Sequence, residues 1–546
     1  MKKPAHAGFC IFGACLQHFY SHARMQSVDS KQLIHMSYSL VWLKRDLRWQ
    51  DHAALSAAAA QGPVTCLYVI EPGLWQQPDM AASHYHFIVE SLRSLYAALR
   101  AMGGQLLILH GDMISVLNAI YEHSPFHTMH SHEETGNGWT YQRDRNVAAW
   151  CREKKVRWEE HRQFGVVRGL RDRNRWQSAW EAEMAKPLQT LPEQLQWQKL
   201  PFDVQVPAAA DLDLHQSDPP LRQRGGRQQG LQVLNTFAEE RCTQYRGGIS
   251  SPLSAPTACS RISPYLSYGC ISMRETVQRV RQLLLNIPEH ESRQRNGLNA
   301  FQSRLYWHCH FIQKLESEPE IEFLPMHRGY TGLRESDWNA EYFALLKAGR
   351  TGWPLVDACV AMLRETGWLN FRMRAMLVSV AAYPLWLHWR DVGCWLATQF
   401  VDYEPGIHWS QMQMQSGTTG MNVPRIYNPL KQARDHDPHG KFVRRWLPAM
   451  RKVPDSWLFE PWKMPPMMQQ QLGFTPGQEL PQPPVELEQA TRIAKQRLFA
   501  VRGQPEVRSA KAAVIERHGS RASRTDKAKR QSRKALPEIV QPSLFE

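Results

Sequence analysis

The chain changes hydrophobic rhythm once, and the change divides it. Between residues 38 and 165, short apolar runs recur at positions 39–43, 64–70, 105–109 and 126–129, with helical patterns such as 82–101 between them. Runs this uniformly apolar suit strands buried on both faces. They predict an α/β domain, a doubly wound parallel sheet covered by helices. From about 230 to 480 the period becomes 3.6 and strand signals nearly vanish. Apolar stripes over 233–242, 273–285, 297–315, 340–348, 355–365, 371–386 and 391–401 predict a larger all-α domain, able to hold a sizeable ligand between its helices. Residues 166–229, rich in Gln, Pro, Asp and Arg, read as an interdomain connection with short helices at 175–184 and 191–198. Residues 1–37 read as a disordered extension whose apolar stretch lacks a cleavage site. Residues 481–546 read as a disordered, basic, flexible tail.

Composition narrows the function. The net charge is +15 and the pI about 9.4, which points to a polyanionic partner. Residues 491–546 carry 14 Lys/Arg against 5 Asp/Glu, so nine of the fifteen excess charges lie there. No apolar run reaches membrane-spanning length, which argues against an integral membrane protein. Ten cysteines without a C-x-x-C pair, none beyond Cys394, indicate reduced thiols in a cytoplasmic protein rather than a disulfide frame or metal site. Neither the dinucleotide-binding glycine fingerprint nor a P-loop is present. Twenty tryptophans supply stacking surfaces and electron-hopping sites.

Candidate chemistry begins at Ala258-Cys-Ser-Arg-Ile-Ser-Pro-Tyr-Leu-Ser-Tyr-Gly269. Small hydroxyl residues and Arg261 at a helix entrance from about Ser263 make an anion site, although an ordinary capped helix has the same look. Four blocks downstream keep it company. They are Ser303-Arg-Leu-Tyr-Trp-His-Cys-His-Phe311; Thr351-Gly-Trp-Pro354 with Thr366-Gly-Trp-Leu-Asn-Phe-Arg-Met-Arg374; Trp389-Arg-Asp391 with Phe400-Val-Asp-Tyr-Glu404; and Arg425-Ile-Tyr-Asn-Pro429 with Phe442-Val-Arg-Arg-Trp446 and Glu460-Pro-Trp462.

Together with Val41-Trp-Leu-Lys-Arg-Asp-Leu-Arg48, this ordered set resembles the DNA photolyase/cryptochrome flavoprotein family, as a divergent bacterial subgroup. The resemblance implies FAD, folded back on itself, with Tyr245, Cys259, Ser260, Arg261, Ile262 and Ser263 along its phosphates and ribityl chain. Asp402 and Glu404 match two acidic positions near the flavin ring and the adenine-side sugar, and Arg374 matches the partner of the first. Trp307 and Trp368 match the aromatic walls of a lesion pocket, with Arg304, His308, Arg372 and Arg425 as DNA or lesion contacts. Arg304 stands where dimer-splitting members carry Glu, Ala375 replaces a Met, and Asn370-Phe371 replaces a His-Asn pair. Of the electron relay, Trp389 matches the middle member and Trp338 the outer one. The usual inner position falls on Ser410 or Met412 in a shortened loop at 405–417, so Trp409 is the inner candidate. His132, Glu133, Glu134 and residues 136–145 occupy the place of an antenna chromophore, a folate or a deazaflavin. The implied function is a deoxyribodipyrimidine photolyase splitting cyclobutane pyrimidine dimers in UV-damaged DNA. The second reading is a blue-light photoreceptor without repair. The implied place is the bacterial cytoplasm, at the nucleoid. The last residues, with Gln541, Leu544 and Phe545, resemble peptides that bind the bacterial sliding clamp.

Overall fold

The apolar runs pair side by side as strands β1 (Ser39–Leu43), β2 (Val64–Ile70), β3 (Leu106–His110), β4 (Thr128–His132) and β5 (Arg157–His161). The computed structural model describes residues 38–520 apart from 289, 476 and 480. The sheet is parallel throughout, in the order β3-β2-β1-β4-β5. The chain therefore reverses direction between β1 and β4, leaving a crevice beyond their carboxyl ends. β5 has no apolar run because it is an edge strand, and only its pairing with β4 reveals it.

Alternate strand residues serve opposite faces. Val41, Leu43, Cys66 and Ile108 pack under α1 (Ala53–Gln61) and α2 (Ala82–Ala101). Leu40, Trp42, Leu67 and Leu109 pack under α3 (Met113–His123) and α4 (Gly138–Lys154). The first of these cores does not stop at the sheet. It continues through Leu234, Phe237, Ile262, Tyr265, Leu298 and Phe301, so the α/β layer and the helical region share apolar contacts.

Polar contacts reinforce that junction. Leu47 N donates to the Tyr268 carbonyl at 3.0 Å, and Arg48 Nη1 donates to the Gly269 carbonyl at 3.0 Å. His84 Nε2, on α2, lies 2.9 Å from the Phe400 carbonyl; only a protonated nitrogen can bond an acceptor, which fixes the tautomer. Arg274 is gripped from two sides, by Asp51 at 2.8 Å and Glu183 at 2.7 Å, and all three side chains are buried.

Several expectations need correcting. The connection contains the helix Trp176–Ala185, but 191–198 is extended. Trp197 there bridges Val64 and lies over Gly104, where a Cβ would sit 2.5 Å from the indole. The stripe from 371 stops at Ala382 because Pro384, just beyond, cannot continue a helix. Residues 405–417 are not a loop but a helix, with Pro405 in its first turn and Gly417 as a left-handed cap. The expected flexible tail is helical over Leu487–Gly503 and Pro505–His518. Ala494, Leu498 and Val507 bury a stripe against Tyr330, Ala382 and Tyr383, while the charges that suggested disorder face outward. Gln541, Leu544 and Phe545, like residues 1–37, lie outside the described residues.

Candidate functional site

A cavity of about 370 Å³ opens among the helices, within the ~300–1,000 Å³ usual for ligand sites. Six segments line it: the turn 245–267, α6 (Ser292–Ser317), α7 (Phe371–Ala382) with the residues just before it, α8 (Trp389–Gln399) running on to Glu404, α9 (Pro405–Ser416), and the stretch at Tyr427.

The turn differs from expectation. α5 (Ser263–Ser267) is a single short helix, so its dipole is small, and the anion-binding character rests on side chains and bent backbone. Arg261 has φ +62°, a left-handed conformation that costs a non-glycine residue energy and is concentrated at functional sites. Its guanidinium lies 3.9 Å above the Trp368 ring, and burial pulls it down to about 10. A cation so poorly solvated favours an anionic ligand. Arg241 holds the turn from behind, donating to the carbonyls of Thr257, Cys259 and Ser260 at 2.9, 2.6 and 3.3 Å.

Opposite the turn, Arg374 Nη2 meets Asp402 Oδ2 at 3.0 Å, and Ser263 Oγ donates to the same oxygen at 2.6 Å. Arg374 Nε donates to the Leu369 carbonyl at 2.7 Å, and the guanidinium lies over Phe400 at 4.0 Å. Asp402 Oδ1 is shielded from solvent and has no protein partner; nor has either ring nitrogen of His308. Burial pushes His308 down to about 3. Glu404 is buried, 3.1 Å from Arg45 of the α/β layer, and desolvation lifts it to about 7 against that arginine's pull.

Of the sequence candidates, Tyr245, Cys259, Ser260, Arg261, Ser263, Arg374, Asp402 and Glu404 line this cavity together, as do Arg304, Trp307, His308, Trp368 and Arg372. Ile262 does not, because its side chain turns into the apolar core. Arg304 bonds Tyr245. Arg425 is exposed, two residues from Tyr427 on the cavity wall.

Trp409 is buried on the far side of α9 and meets Trp389 edge-on at 5.9 Å. Trp338 is half-exposed and packs on Phe343 at 4.9 Å, which in turn meets Trp395 at 6.3 Å. The cavity face of α9 carries His408, Gln411, Met412 and Gln415. Sequence reasoning reached Met412 only as a place of the usual inner tryptophan and missed the other three, yet their i, i+3, i+4, i+7 spacing is the signal of a helix face. His408 Nε2 donates to the Gly393 carbonyl at 2.9 Å, and burial keeps the ring neutral, down to about 4.

A smaller crevice of about 60 Å³ lies beyond the carboxyl ends of β1 and β2 and is lined by Glu134, Gly136, Asn137, Thr140 and Arg143. Arg143 fills it, bonded to Glu71 at 3.1 Å, Glu134 at 2.6 Å and Asp144 at 2.9 Å, and lying 4.8 Å from the Trp42 ring.

Residues 39–168 match the model of DNA photolyase, and residues 301–500 that of the FAD binding domain of DNA photolyase. The chain is 28% identical to a cryptochrome DASH of Gloeobacter violaceus over 83% of its own length and 93% of the relative's. It is 26% identical to a deoxyribodipyrimidine photo-lyase of Streptomyces griseus, covering 83% and 98%. Its fold is that of a bacterial class III photolyase from Agrobacterium tumefaciens, with TM-score 0.75 and 21% identity over 87% of this chain and 100% of the other. The chain belongs to the photolyase/cryptochrome family, and its cofactor is FAD. The residues of the larger cavity fit that group: desolvated arginines and hydroxyls for its phosphates, orphaned Asp402 and His308 atoms for its polar edges. Among the described residues, no helix is long and apolar enough to cross a membrane.

Proposed function

We propose that this protein is a light-dependent DNA repair enzyme, a deoxyribodipyrimidine photolyase acting on cyclobutane pyrimidine dimers in the bacterial cytoplasm. The observation that carries the reading is one cavity with two kinds of wall. The inner part has the Arg374–Asp402 pair and the Arg261 turn, suited to FAD. The other wall has Trp307 and the exposed Phe371 beside Arg304 and Arg372, with the buried Trp368 under Arg261 between the two, suited to unstacked bases and their phosphates. When bound in its reduced form, FAD supplies the light-driven electron that opens the dimer and is then recovered. The chain's own residues hold the cofactor, stack the displaced bases and exclude water. Phe371 presents an aromatic face at the mouth, where it is partly exposed. The homologous deoxyribodipyrimidine photo-lyases support the repair reading, and the homologous cryptochromes keep the photoreceptor as its rival.

The deciding experiment is blue-light repair of a dimer-containing oligonucleotide by the reduced holoprotein. Loss of dimers under light but not in darkness is expected. No repair, with flavin bound and reduced, would leave the photoreceptor reading.

Trp389 and Trp409 form the buried part of the proposed relay and Trp338 its exposed end. Trp389→Phe should slow light-driven flavin reduction while leaving repair by chemically reduced protein intact. Unchanged photoreduction would place the relay elsewhere.

The final residues are proposed to bind the sliding clamp through Gln541, Leu544 and Phe545. Deleting 541–546 should abolish retention on immobilised clamp with repair unaffected, and undiminished retention would reject the motif.

A further inference from the structure

The segment Lys44–Arg48 belongs to the α/β layer, so nothing about its place in the chain assigns it to the cofactor. We propose that Arg45 is a positioning residue of the flavin site, holding the Glu404 carboxylate, from across the junction, in the orientation and charge state in which it lines the cavity. The inference rests on reading that cavity as the flavin site.

Arg45 uses its guanidinium entirely on the helical side. Nε donates to the Ser267 carbonyl at 2.9 Å, Nη2 donates to the Tyr403 carbonyl at 2.8 Å, and Nη2 also meets Glu404 Oε2 at 3.1 Å. The guanidinium lies 5.5 Å from the Tyr268 ring. All three acceptors, Ser267, Tyr403 and Glu404, line the cavity themselves.

The backbone that presents Arg45 is equally fixed. Its carbonyl accepts from Gln163 Nε2 and faces Gly269, which has φ +64°; a Cβ there would come within 2.2 Å of the Arg45 oxygen. Lys44 is tied to Asp144 at 3.2 Å. Asp46 Oδ2 accepts from His132 Nδ1 at 2.7 Å, and His52 Nε2 lies 2.9 Å from the same oxygen. His52 Nδ1 accepts from Leu55 N, so that ring keeps its proton toward Asp46 and has no lone pair left for a cation. The segment is thus a buried plug set against the residues 263–269 turn, with one long arm reaching the cavity.

The charges facing Glu404 come from several elements. Arg45 favours its ionised form, aided by the Gly406 amide, and Glu134 opposes it from the loop after β4. The Tyr268 phenol, the Cys309 thiol and the neutral His308 ring complete the surroundings, with Asp402 two residues away. Among these groups Arg45 is the cation in contact with the carboxylate. Without it, the Gly406 amide alone opposes burial, and Glu404 shifts further toward the neutral acid at pH 7, unable to accept hydrogen bonds on both oxygens.

The test is FAD affinity as a function of pH, from about pH 6 to about pH 9, measured by flavin fluorescence on purified holoprotein after dialysis. In the wild type, affinity should weaken as pH falls through about 7, where Glu404 takes up its proton. Arg45→Met raises that midpoint, so affinity at pH 7 should drop roughly fivefold for a midpoint displaced by about one pH unit, and recover toward the wild-type value near pH 9. Arg45→Lys should keep the wild-type midpoint, and Glu404→Gln should remove the pH dependence with or without Arg45→Met. A loss at every pH that Lys fails to rescue would overturn the proposal, as would pH dependence surviving in Glu404→Gln, a result that does not depend on how Arg45→Met folds. If Arg374→Met and Arg261→Ala release flavin while Arg45→Met leaves the midpoint in place, this inference alone fails. If neither releases flavin, the site reading fails with it.

Discussion

Arg374→Met should strip the protein of its flavin. The substitution leaves the Asp402 carboxylate buried with Ser263 as its remaining hydrogen-bond donor, since the other oxygen has no protein partner. Removing one member of a buried, hydrogen-bonded ion pair costs about 3–5 kcal/mol. Arg374 retains some solvent exposure, so about 2–4 kcal/mol is the expected loss, roughly a 30- to 1,000-fold weaker FAD complex. Flavin absorbance per protein after gel filtration reads the result. Full retention would mean that the cofactor is held elsewhere. Arg374→Lys should restore only part of the affinity, because an ammonium cannot span Asp402 and the Leu369 carbonyl with the planar fork that bonds both.

The largest effect on stability should come from Arg274→Met. Arg274 holds together two carboxylates distant in sequence, Asp51 and Glu183, and Ser272 Oγ adds a 2.5 Å bond to Asp51. Loss of the guanidinium leaves Asp51 buried without its ion-pair partner, while Glu183 keeps Lys186 at 2.7 Å, at a cost of about 3–5 kcal/mol. Chemical denaturation should show a lower midpoint, and the α/β layer should loosen from the helices, seen as faster amide exchange around Leu47 and Gly269. A loss below about 1 kcal/mol would mean that water replaces the arginine without penalty.

Where the sequence is informative, local chemistry is decisive. Strands β1 and β2 and the helix Met273–Asn286 follow from periodicity because burial on one or both faces dictates it. The cavity residues are legible through the ordered set of blocks that resembles the photolyase/cryptochrome family, since a capped helix with a surface arginine looks the same on its own. What stays hidden is set by tertiary contact. β5 is an edge strand specified by its neighbour, and Trp197 makes an extended segment of what reads as a helix by fitting over Gly104. The helix at Pro405–Ser416 reads as a loop because proline and glycine are ordinarily breakers, whereas Pro405 sits in its first turn and Gly417 is its cap. The Leu487–Gly503 helix is masked by charge, since only a narrow stripe of it is buried. Arg45 cannot be assigned at all without the fold, because Glu404 lies hundreds of residues away in the chain.

The junction between the layers bears on how such a chain could be assembled or exchanged in evolution. The stretch 301–500 that matches an FAD binding domain carries Arg374, Asp402 and Glu404. It lacks the Arg261 turn and the arginine that contacts Glu404, and its apolar neighbours Leu298 and Ile262 share a core with the sheet. A recombinant that transplanted those residues alone would carry half a binding site with an uncovered core. A substitution at Arg45 or Gly269 in one layer would therefore disturb contacts made by the other.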